Sequence, residues 1–149
     1  SYNKLDIHPT EKLLIKLMLE EEEIIKRLMQ TVSPADFEDE RTAKLVSLLF
    51  NFISEGKKIM VNNLISYLED ENLTQIVCEL SLIPQTSDEE RQKVVEDCIK
   101  RLKEKRFRNI REHLQREIKL AQSLGDEERL KKLTEEFCNL MKTNKKQQV

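Results

Sequence analysis

Glycine occurs twice and proline three times in this 149-residue chain, and tryptophan is absent. Sheet proteins need turn formers at far shorter intervals, so this scarcity excludes a sandwich or barrel and leaves helix throughout. Two glycines are also too few for a dinucleotide fingerprint or a phosphate-cradling loop. The three cysteines, Cys78, Cys98 and Cys138, are far apart, each within an apolar helical pattern. An odd count without close spacing argues against a disulfide framework and for reduced thiols in a core. His8 and His113 have no cysteine near them at ligand spacing, so surface or capping roles are expected and no metal or other cofactor is. No run approaches a membrane span, and no signal-like segment opens the chain. Together with the thiols this suggests a cytoplasmic protein. The opening on Ser1 suggests a piece of something longer.

What is present is charge. Charged residues make up 36% of the chain against 38% hydrophobic ones, and 26 basic and 28 acidic residues leave a net charge of −2. That balance gives no global pull toward nucleic acid or an anionic membrane, so any electrostatic partner must be read locally.

Along the chain, Thr10 is placed to cap a helix carrying Leu13, Leu14, Leu17 and Met18, and a second helix with Ile24, Ile25, Leu28 and Met29 begins near the acidic run Glu20 to Glu23. Adjacent acids cannot converge on one ion, so the run reads as a solvated helix start. After Ser33-Pro34, Phe37 leads into a helix with Ala43, Leu45, Val46, Leu49, Phe50 and Ile53 that stops at Gly56. Leu64, Ile65 and Leu68 mark a short helix, and Leu73, Ile76, Val77, Leu80 and Leu82 another that ends before Pro84. Such short helices bury their stripes only against each other.

The longest element is read from Ser87, with Glu90 as a capping-box partner, to Ser123, a stretch without proline or glycine. At 1.5 Å per residue it spans roughly 54 Å. Its apolar stripe changes face. Val94, Val95, Cys98, Ile99 and Leu102 lie on one side, and Phe107, Ile110, Leu114, Ile118 and Ala121 lie roughly 130° further round. Between them Lys103-Glu104-Lys105-Arg106 has no apolar side chain and is expected to be bare to solvent or to bridge two packed units, as a strut that carries a small module away from a larger one. Gly125 ends this helix, and Asp126 caps a last one with Leu130, Leu133, Phe137, Leu140 and Met141, after which the tail beyond Thr143 is expected to fray. The expected fold is all-α: a six-helix bundle joined by one long helix to a C-terminal antiparallel helical hairpin, with residues 1–106 and 107–149 as the two subdomains.

No nucleophile–base pair, phosphate loop or metal spacing is present, so the chain is not expected to be an enzyme. Two features suggest binding. Leu120 and Leu124 fall roughly 100° off the hairpin seam and make a candidate partner contact, with the polar face of the last helix around Glu128, Arg129 and Lys132 as the alternative. The basic stretch from Lys100 to Arg111, with Arg106, Arg108 and Arg111 in its second half, reads first as the solvated surface of a strut, and as a binding face it suits a phosphate backbone or an acidic protein.

The order of these elements resembles the C-terminal helicase-binding domain of bacterial replicative primases of the DnaG type. The residues that carry the resemblance are Glu11-Lys12-Leu13-Leu14-Ile15, the segment from Phe37 through Leu45-Val46 to Phe52-Ile53-Ser54-Glu55-Gly56, Leu64-Ile65-Ser66 and Asp97-Cys98-Ile99. They also include Glu117, Ala121, Gly125-Asp126, Leu130, Glu136 and Leu140. The resemblance runs nearly the whole chain. It implies that the hairpin docks on the N-terminal domains of the hexameric replicative helicase, that the bundle modulates the helicase, and that primer synthesis resides in other domains of the primase. The bundle is also similar to the N-terminal domain of the replicative helicase itself, which is the alternative identity. A nucleic-acid-binding module using residues 100–111 is the alternative from another class, and no membrane partner is expected.

Overall fold

The computed structural model describes residues 7–147, which form seven α-helices and one 3-10 turn, with no strand among the described residues. The helices are α1 (Pro9–Glu20), α2 (Glu22–Thr31), α3 (Glu40–Ser54), α4 (Val61–Tyr67), α5 (Glu71–Ser81), α6 (Asp88–Leu124) and α7 (Glu127–Gln147), and the 3-10 turn is Pro34–Asp36. The chain divides into two compact units, the first ending at Lys103 and the second beginning at Glu104.

In the first unit the stripes converge on one core. Leu14, Ile15, Leu17 and Met18 of α1 meet Ile24, Ile25 and Leu28 of α2, and α3 adds Leu45, Val46, Leu49 and Phe52. Leu64 of α4, Leu73, Ile76, Val77 and Leu80 of α5, and Val95, Cys98 and Leu102 of α6 complete it. Each fully buried leucine or isoleucine contributes roughly 1.5–3 kcal/mol relative to exposure, so this core is ample for a unit of its size. The α6 stripe ends at Leu102, where the core ends.

Several local expectations need correction. His8, not Thr10, caps α1: its Nδ1 accepts the Thr10 N–H at 3.2 Å, and Pro9 follows at the first helical position, where no N–H is needed. Leu13 is exposed and Ile15 fully buried, so the core face of α1 is turned by about one residue from the expected one. Leu82 lies beyond α5 and faces solvent, because the helix ends at Ser81.

Both glycines end helices. The Gly56 N–H donates to the Ile53 carbonyl and the Lys57 N–H to that of Phe52, while the Gly125 N–H donates to Gln122 and the Asp126 N–H to Ala121. This is the Schellman pattern twice, with glycine φ values of +70° and +68°. At the first stop the Lys57 ammonium, 2.8 Å from the Glu55 carboxylate, sits 5.5 Å from the Phe52 ring and 5.6 Å from the Tyr67 ring.

Asp39 caps α3, accepting the Arg41 N–H at 2.9 Å while the Arg41 guanidinium grips the same carboxylate. That grip holds its pKa below the ordinary 3.8. Stabilisation from this carboxylate is therefore complete above the unfolded value and is lost as pH falls through the lower folded one. Asp39→Asn keeps a cap acceptor but cannot titrate, so its acid denaturation curve is expected to be shallower than that of the parent. Superimposable curves would refute this.

The second unit has a smaller core of Leu114, Ala121 and Leu133, flanked by Ile110, Ile118, Leu130, Phe137 and Leu140. Chain reversal at Gly125 sets the end of α6 and α7 side by side. Phe107 stands outside this cluster, half-buried, with the Arg111 guanidinium 5.7 Å from its ring. Met141 and Cys138 are exposed, so Cys138 is no core thiol, and Cys78 is only half-buried. Among the cysteines Cys98 is the one in a core, where burial pushes its thiol pKa up. The expected fraying after Thr143 does not occur by Lys146: α7 continues to Gln147, with Lys145 and Lys146 placed where the helix dipole favours positive charge. Because this core is small, Leu133→Asp is expected to unfold it. Amide exchange of residues 110–140 should then approach that of an unfolded peptide, and native protection there would count against the prediction.

Candidate functional site

At the turn of the second unit, α6 ends in two exposed leucines. Leu120 is 50% and Leu124 72% exposed, whereas Ala121 between them is buried against α7. The 100° step between neighbours on a helix produces this split: when Ala121 faces the seam, Leu120 cannot. Immediately after the turn Asp126 accepts the Arg129 N–H at 3.1 Å and caps α7, and Glu127 and Glu128 occupy its first turn. Glu128 and Lys132 are exposed. Arg129 is committed within the unit, because its guanidinium pairs with the Glu117 carboxylate and ties the two helices together. The resulting tip is apolar with acidic residues beside it.

The basic residues of α6 do not form one open stripe. Lys103 is not bare: its ammonium lies 2.9 Å from the carboxylate of Asp36, which is buried and also accepts the Ser33 N–H at 2.9 Å. Lys105 and Arg106 are half-buried and engaged, and Arg111 lies over Phe107, so the exposed members are Lys100, Arg101, Arg108 and the Asp36-paired Lys103.

One cluster went unread in the sequence. Arg91 is buried at the start of α6, and its guanidinium reaches Glu20 at 3.2 Å, Glu21 at 2.8 Å, Asp88 at 2.9 Å and the Thr86 carbonyl at 2.6 Å. Lys16, also buried, pairs with Glu20 and donates to Thr86 Oγ1 at 3.3 Å. The acidic run is thus a solvated helix start in its second half, where Glu22 and Glu23 are exposed in the first turn of α2, but not in its first, where Glu20 and Glu21 hold the beginning of α6 against the junction of α1 and α2. The hydrogen bond that Arg91 donates to the Glu21 carboxylate raises the Arg91 pKa above its ordinary value. A signal existed in the sequence: Arg91 precedes Val95, Cys98 and Leu102 on the same helical phase, which places a cation on a buried face.

These arrangements support binding by surface contact. The described residues hold no group of three or more side chains able to bind a metal ion, and no helix among them is long and apolar enough to cross a membrane.

No family model matches the chain. It is 24% identical over 118 residues, 79% of its length, to a DNA primase of Staphylococcus epidermidis (strain ATCC 12228 / FDA PCI 1200). That match takes in 20% of the primase, so the chain spans about a fifth of the length of the relative it matches.

Proposed function

We propose that the chain is the helicase-docking part of a bacterial DNA primase, without catalytic activity of its own, and that it works in the cytoplasm. The observation that carries this reading is the similarity to a DNA primase over most of this chain but only a fifth of that protein. That proportion suits a non-catalytic module of a larger primase. An all-helical fold whose second unit ends in two exposed leucines is consistent with an interaction module. The architecture we infer is a six-helix bundle formed by α1 to α5 with the first half of α6, followed by a hairpin of the second half of α6 with α7. The partner is the N-terminal domain of the hexameric replicative helicase, and the tip at Leu120 and Leu124 is the part that docks.

Calorimetric titration of the full chain into that helicase domain tests the proposal. Saturable binding is expected, together with no turnover of nucleotides by the chain alone. If the helicase domain does not bind, while duplex or single-stranded DNA binds with a steep dependence on salt, the basic residues Lys100, Arg101 and Arg108 are the functional surface instead.

A further inference from the structure

We propose that the first unit carries a docking surface of its own, centred on Leu82 and Ile83, which receives a basic protein segment with leucine-sized anchors. Leu82 is 84% exposed, more than any other large hydrophobic side chain among the described residues, and Ile83 beside it is 47% exposed. These two leave α5 on a fixed path, since the Leu82 N–H donates to the Glu79 carbonyl at 3.2 Å and that of Ile83 to Leu80 at 3.3 Å. Only Pro84 and Gln85 separate them from Thr86, which is clamped on three sides. Its carbonyl accepts from Arg91, its hydroxyl from Lys16, and its N–H donates to Glu20 at 3.4 Å. An apolar pair displayed between two anchored ends loses little conformational freedom when a partner covers it.

Charge identifies the partner. Residues 59–90 contain seven carboxylates and no lysine, arginine or histidine. Glu79 stands one turn before Leu82, and Glu89 and Glu90 follow at the exposed start of α6. Of these acids Asp70 caps α5 and Asp88 pairs with Arg91, and those nearest the apolar pair in sequence, Glu79, Glu89 and Glu90, disfavour a phosphate backbone and an anionic lipid surface and attract lysine and arginine. The carboxylates select the basic segment and the Leu82–Ile83 pair supplies the contact that a purely ionic encounter lacks. This surface belongs to the first unit, and the proposal does not rest on what binds at the tip of the second.

The test uses two synthetic peptides as probes: an amphipathic helix with leucines on one face and lysine and arginine elsewhere, and the same peptide with serine for leucine. Each is titrated into the isotope-labelled full chain at an ionic strength of about 0.15 M, where exposed charges are screened beyond roughly 8 Å. The expected result is amide shift changes concentrated in residues 79–90 and about tenfold weaker binding by the serine peptide. A comparable loss is expected for the Leu82→Ser/Ile83→Ser and Glu89→Lys/Glu90→Lys double variants. Leu82 and Ile83 are exposed, so the melt of the serine variant should match the parent, whereas two lysines in the first turn of α6 oppose the helix dipole and should lower the melt of the glutamate variant by a few degrees without unfolding it. Equal affinity of the two peptides, or shifts centred elsewhere, would overturn the proposal. So would sedimentation at low salt showing a second copy of the chain on this surface through Lys100 and Arg101.

Discussion

Arg91→Met should destabilise the first unit by about 3 kcal/mol, the lower end for loss of one partner from a buried ion pair, because Lys16 still faces Glu20. In a unit of about 100 residues that corresponds to a melting temperature lowered by more than about 10 °C. The loss arises because Glu20, nearly inaccessible, loses two of the donors around it, the Arg91 guanidinium and a firmly placed Thr86. Arg27→Met provides the contrast. Arg27 also spans to α6, reaching Gln92 at 2.8 Å and Glu96 at 3.2 Å, but these groups are exposed. Its replacement should change stability by less than about 0.5 kcal/mol. Equal effects of the two substitutions in parallel thermal melts would show that the buried network does not hold α6 in place.

The second large effect concerns binding. Leu120→Asp with Leu124→Asp should weaken association with the helicase domain by about a hundredfold or more, as expected when two central apolar contacts are replaced by charge. The melting temperature should hardly move, since both side chains already face water. Glu128→Lys with Lys132→Glu tests the other face of the tip. If this pair abolishes binding and the leucine pair does not, the polar face of α7 is the contact. Arg129 is a poor choice for such a test, because its pairing with Glu117 is part of what joins the two helices.

Helix positions were legible because local rules act within one turn: the spacing of leucines and isoleucines, the two glycine stops, and Asp126 as a cap all operate over a few residues. The exposure of Leu120 and Leu124 followed from phase in the same way. What could not be read was set by partners distant in sequence. Arg91 and Glu20 are 71 positions apart and Lys103 and Asp36 are 67 apart, so helical phase can place Arg91 on a buried face but does not name the acids that hold either cation. Leu13, Leu82 and Met141 failed for a related reason. Periodicity gives the direction of a side chain but not where the opposing helix stops. For the tip, phase identifies an uncovered apolar pair.

The gap between the two cores has a thermodynamic consequence. The larger core ends at Leu102 and the smaller begins at Ile110, so the intervening turns of α6 belong to neither. Cooperativity in unfolding is transmitted by shared buried apolar contacts, and the two apolar clusters have no residue in common. Heat absorbed on melting should therefore exceed the van't Hoff enthalpy taken from the steepness of the transition, and no single free energy of unfolding describes the whole chain. Each core has its own, and a substitution in one should leave the calorimetric contribution of the other unchanged.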